Sequence, residues 1–188
     1  MIACDSGGAN EANEEDTDPA TAFVLDEGNF EATVDEDGET FDVSGGAVFG
    51  IATNLGSADG GGNDGEGFVL YMLDGERPPE DERSLNDTWT SIRITGQESI
   101  VPGEGTYEFE SGGYTTPDYR SDMDSPALRI FIGGGPGEFT ITSASADELE
   151  GTFNFEDPSD GSIRVQGSFT AVRADDIDAV LCTPDCDD

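Results

Sequence analysis

Leu149-Glu150-Gly151-Thr152-Phe153-Asn154-Phe155 is the stretch whose reading decides the fold class. Apolar or small residues take every second position and polar ones lie between. A strand turns successive side chains to opposite faces, so a period of two marks a strand with one face buried. The same period recurs on both sides of this stretch. Upstream, Phe30, Ala32 and Val34 alternate with Glu31, Thr33 and Asp35. Asp37-Gly38 predicts a hairpin turn into Thr40-Phe41-Asp42-Val43. Ala47, Phe49 and Ile51 read as the next strand. Phe68 to Leu73 is apolar at every position, as in a strand covered on both faces. Trp89 to Thr95 turns Ile92 and Ile94 inward, and Gly105 to Phe109 is a short strand after Pro102-Gly103. Leu128, Ile130 and Ile132 form another inward row. Gly133 to Gly137 turns the chain into Glu138-Phe139-Thr140-Ile141-Thr142. Downstream, Asp160-Gly161 leads to Ile163, Val165, Gly167, Phe169 and Ala171.

This pattern predicts an all-β chain, an antiparallel β-sandwich or partly closed barrel of about ten short strands. No amphipathic helix stands out, and the 26 Gly and 9 Pro suit turns better than helices. No apolar run is long enough to span a bilayer as a helix. The expected organisation is a flexible acidic tether over residues 1–28, a β-domain over 29–174 and an acidic tail over 175–188.

Charge narrows the setting. The 188 residues carry 43 Asp+Glu against 7 Lys+Arg, for a net charge of −36; all seven cations are Arg, and His is absent. Self-repulsion of this size opposes a compact state at low salt. At about 1 M salt the Debye length falls to about 3 Å, and surface carboxylates barely sense one another. With 34% hydrophobic residues and eleven Phe, the composition reads as a folded domain adapted to brine. Disorder, the other reading of high acidity, is expected at the chain ends. Nucleic acid is excluded as a partner, because seven scattered Arg cannot neutralise a run of phosphates. An anionic membrane surface is disfavoured for the same reason.

The missing residue types also exclude chemistry. Without His there is no Ser-His-Asp or Cys-His nucleophile system. Without Lys there is no Schiff base and no P-loop. A carboxylate pair could still serve glycoside hydrolysis, but among 43 acids no pair stands out. The expectation is a non-enzymatic monomer. Hard oxygen ligands crowd the Gly-rich loop Ser57 to Gly67, where Asp59, Asn63, Asp64 and Glu66 could hold calcium. The loop departs from the EF-hand order, with Gly61 at a ligand position and Asp64 where Gly belongs. Two further acidic clusters lie at Asp118, Asp122 and Asp124, and at Asp157 to Gly161. Each reads equally as a solvated acidic loop. A glycan-stacking face would require Tyr71, Trp89, Tyr107, Tyr114 and Tyr119 to share one exposed surface; buried or scattered rings would remove it.

The start of the chain is a separate signal. Met1-Ile2-Ala3-Cys4 precedes the polar run Asp5-Ser6-Gly7-Gly8. It resembles the lipobox of bacterial lipoproteins, where cleavage exposes a Cys that is then acylated. Met1 stands where Leu is commoner, and the charged and hydrophobic parts of a signal peptide do not precede it. The resemblance implies Cys4 as the lipid attachment site, a position at the cell envelope, and contact with membrane through the anchor alone. An ordinary start with Cys at its fourth position is the other reading. At the far end, Cys182-Thr183-Pro184-Asp185-Cys186 fits a small disulfide ring or two free thiols. A ring would agree with export to an oxidising compartment.

The order of motifs over residues 29–173 adds a second resemblance. Asn29 to Asp35 with Gly38-Glu39-Thr40-Phe41 comes first, followed by Ser91-Ile92-Arg93-Ile94 and Pro102 to Tyr107. Gly137 to Thr142, Leu149 to Phe155 and Val165 to Phe169 complete the series. It is similar to a family of small exported bacterial lipoproteins with an all-β domain. Two inserted residues between Gly103 and Thr106 and the acidic stretch near 54–67 depart from that pattern. The resemblance implies an exported β-domain whose partner is an unspecified protein or glycan. It assigns no activity and no site residues.

Overall fold

The computed structural model describes residues 23–36, 38–53, 66–75, 90–96, 98–109, 114–121, 136–157 and 161–182. They form nine strands and one short helix. The strands are β1 (Asn29–Glu36), β2 (Glu39–Ala52), β3 (Gly67–Asp74), β4 (Thr90–Gly96), β5 (Gly105–Glu108), β6 (Tyr114–Ser121), β7 (Gly137–Ala144), β8 (Glu148–Glu156) and β9 (Ile163–Arg173). The helix is α1 (Ile177–Cys182). All nine strands belong to one sheet in the order β5-β7-β8-β9-β1-β2-β3-β4-β6. Neighbours in that order run antiparallel, and the first and last long strands, β1 and β9, lie side by side.

Chain connectivity requires this sheet to curl. β5 ends at Glu108 and β6 begins at Tyr114, a stretch that reaches about 20 Å at 3.3–3.6 Å per residue. These two strands are the opposite edges of the sheet. Laid flat at about 4.8 Å per strand, nine strands would hold them about 38 Å apart. The result is a curled half-barrel. Its concave face holds one core cluster. Phe30 and Val34 from β1, Phe49 from β2, Phe68, Leu70 and Met72 from β3, Ile92 and Ile94 from β4, Phe139 from β7 and Phe153 from β8 all meet there.

The alternating strands keep the faces that their sequences assign. Leu149, Gly151, Phe153 and Phe155 are buried, while Glu148, Glu150, Thr152 and Asn154 are exposed. β3 is buried on both sides. Phe68, Leu70 and Met72 enter the main core, whereas Val69, Tyr71 and Leu73 face a second cluster on the convex side. That second cluster is closed by Leu25 and Ile177, with Phe23, Val180 and Leu181 packed around it. Phe23 to Gly28 therefore lie against the sheet, and Ala47 N–H donates to Glu27 O at 2.8 Å.

Three features differ from the sequence expectation. Thr40–Val43 and Ala47–Ile51 belong to one strand, β2, which changes partner at Gly45-Gly46. Residues up to Gly45 pair with β1, and those from Gly46 pair with β3. Beyond the end of β1, Val48 and Phe49 meet Val172 and Arg173 of β9 directly, in parallel. The second difference is β6, whose Tyr114-Thr115-Thr116-Pro117 lacks an apolar alternation. β6 is an edge strand, and Pro117 falls where the β4–β6 register slips between Arg93 and Thr95. An edge and a register break are where a strand tolerates Pro. The third is α1. Asp176 caps it by accepting from Ala179 N–H at 3.1 Å. The strand expected at Leu128 to Ile132 lies outside the described residues.

Besides the packing of Val180 and Leu181, two contacts dock α1. Ile177, 2% exposed, sits over Gly50, where an added Cβ would lie 2.8 Å from the Ile177 Cβ. Thr53 donates to the Asp178 carboxylate from its backbone N–H at 2.9 and 3.0 Å and from its hydroxyl at 2.6 Å. Ile177→Ala should cost about 2 kcal/mol, the low end for a buried aliphatic because the site is peripheral. Asp178→Ala should cost about 1 kcal/mol, since these hydrogen bonds are charge-assisted but exposed. Urea unfolding in 2 M NaCl measures both. An effect of Asp178→Ala larger than that of Ile177→Ala would mean that the hydrogen bonds, not the apolar contact, hold the helix.

Candidate functional site

The outer face of β8, β9, β1 and β2 is laid out by strand register. One row reads Thr152, Ser168, Glu31, Ser44 across the four strands. The next reads Asn154, Gln166, Thr33, Asp42, and the third reads Glu156, Arg164, Asp35, Thr40. These are the polar positions of the alternating strands, so they face away from the core. Thr152, Ser168, Asn154, Gln166 and Thr33 adjoin one another and are uncharged; Glu31 stands beside Ser168 and Thr33, and Asp42 beside Thr33. On a chain of net charge −36, these five side chains form a small uncharged group among carboxylates.

The face is hollow. A depression of about 740 Å³ is lined by Glu31, Thr33, Asp42, Ser44, Thr152 and Asn154 together with Gln166 and Ser168. A second hollow of about 580 Å³ continues from it past Thr33, Asn154 and Gln166 towards Asp35, Glu156, Arg164 and Pro136. On the inner face Ala32 and Gly167 pair in register, and the small residues there leave room for neighbouring rings. A Cβ on Gly167 would lie 2.4 Å from Glu31 O and 2.8 Å from the Phe153 ring. One on Gly151 would lie 2.7 Å from the Phe169 ring. Each glycine is thus covered by a neighbouring aromatic.

Two polar contacts lie on this face. Thr33 Oγ1 donates to Asp42 Oδ1 at 2.9 Å. Arg164 Nε lies 3.0 Å from Glu156 Oε2, with 68% of the Arg side chain exposed. An ion pair so open to water contributes about 0.2–1 kcal/mol, less in brine. Arg164 therefore adds little to the stability of the fold. Asn154 and Gln166 each offer two N–H donors and one carbonyl acceptor. Such a face can bind by hydrogen bonds that salt does not screen.

No family model, no curated protein and no solved structure matches this chain.

The residues singled out in the sequence fall elsewhere. Glu66, exposed, immediately precedes β3, while Asp59, Asn63 and Asp64 lie outside the described residues, as do Cys4, Cys186 and Trp89. Cys182 is the last residue of α1. Among the described residues, no three His, Cys, Asp or Glu gather as a metal site would need. In the second acidic cluster, Asp118 of β6 stands opposite Arg93 of β4, and Asp122 and Asp124 lie outside the described residues. In the third, Asp157 belongs to a turn: its N–H donates to Ile163 O at 2.9 Å, and its carbonyl accepts from Gly161 N–H at 3.0 Å. Tyr71 is buried in the convex-side cluster, whereas Tyr107 stacks on Phe139 at 5.0 Å and donates to Gly103 O at 2.8 Å. These two rings lie on opposite faces of the sheet and make no shared platform.

Proposed function

We propose that this chain is a non-catalytic interaction module of the cell envelope, adapted to high salt and held to a membrane by an acylated Cys4. On this reading it acts as a monomer, and its interaction face is the outer surface of β8, β9, β1 and β2. A disulfide between Cys182 and Cys186, and a tenth strand over Leu128, Ile130 and Ile132, belong to the same proposal. The observation that carries it is the segregation of charge. Among the described residues Thr90 and Ser91 are the buried polar side chains, and no Asp, Glu or Arg is buried. The acid sits where brine can screen and hydrate it. The uncharged patch sits where a partner could be recognised by hydrogen bonds that survive that brine.

Mass spectrometry of the N-terminal peptide, from protein expressed from its full native locus, tests the anchor. The expected peptide begins at Cys4 and carries acyl mass. An unmodified peptide retaining Met1 would overturn the envelope reading. A single acyl chain holds a protein only marginally, so the expected mass corresponds to more than one chain.

Salt adaptation has its own test. The melting temperature should climb between 0.1 and 1 M NaCl and then level off, because screening is nearly complete once the Debye length is about 3 Å. Sucrose at equal osmolality should give a smaller rise. A melting temperature that is flat or falling across this range would remove the salt-adapted reading.

A further inference from the structure

We draw no further inference here: the strongest candidate, the shallow polar depression on the outer face of β8, β9, β1 and β2, belongs to the site already described, and nothing in the structure shows which ligand or partner covers it.

Discussion

Phe139→Ala should lower the free energy of unfolding by about 3–5 kcal/mol, the cost of deleting a fully buried aromatic and leaving a cavity. Phe139 is 0% exposed. Its ring stacks on Tyr107 at 5.0 Å and on Phe109 at 5.7 Å, both at 21°. Phe109 in turn meets Phe155 edge-on at 6.4 Å. Aromatic pairs contribute about 0.5–1.5 kcal/mol beyond the area they bury, and this ring joins two of them. It also anchors an edge. β5 has four residues and pairs with β7 alone, so Tyr107 and Phe109 depend on Phe139 for their packing. Domains of this kind are stable by about 5–15 kcal/mol in total. The variant should therefore be partly unfolded at 0.1 M NaCl and recover in 2 M. Urea unfolding in 2 M NaCl gives the magnitude, with Phe139→Leu as the volume-sparing control. If Phe139→Ala cost less than about 1 kcal/mol, β5 and its aromatics would not be part of the cooperative core.

The strands that could be read from sequence are those with one wet face. β1, β8 and β9 alternate because their outer faces carry Glu31, Asn154 and Gln166 while their inner faces carry Val34, Phe153 and Val165. β3 was legible for the opposite reason: its unbroken apolar run matches its burial between two clusters. The missed features share a cause, which is that a long-range contact decides them. Gly45-Gly46 looks like a turn until Leu73 and Leu25 are brought against it. Pro117 argues against a strand until β6 is known to be an edge. α1 is six residues long, too short to establish a helical period. Its support is Gly50 and Thr53, far away in the chain. The candidate face was legible only in its parts. Alternation puts Thr33, Asn154 and Gln166 on outer faces, but the pairing of β9 with β1 makes them neighbours. No local pattern encodes that pairing, because it joins the two ends of the domain.

Alanine at three glycines around β1 and β2 should separate backbone strain from steric exclusion. Gly38 has φ +86° and nothing within 4 Å of an added Cβ. Gly38→Ala should cost roughly 1 kcal/mol, the strain of a left-handed conformation alone. At Gly45 the backbone is ordinary, but a Cβ would stand 2.0 Å from Leu73 O. Leu73 is fixed by its pairing with Gly46, so the carbonyl cannot swing away without breaking the β2–β3 ladder. Overpacking of this kind costs about 1–3 kcal/mol or more, and Gly45→Ala should lie at the upper end. Gly28 combines both penalties: φ is +63°, and a Cβ would stand 2.1 Å from Ala47 O and 2.6 Å from Thr170 O. The Ala47 N–H to Glu27 O hydrogen bond of 2.8 Å clamps the same corner. Gly28→Ala should therefore be the most damaging of the three, at about 3–4 kcal/mol, and should release the Phe23–Leu25 segment from the convex-side cluster. The check is a set of urea curves in 2 M NaCl, with hydrogen exchange at the Ala47 amide as a local reading. The expected order of cost is Gly28, then Gly45, then Gly38. Were Gly45→Ala no worse than Gly38→Ala, close approach of the Leu73 carbonyl would not be what requires glycine there. The change of partner along β2 would then need another cause.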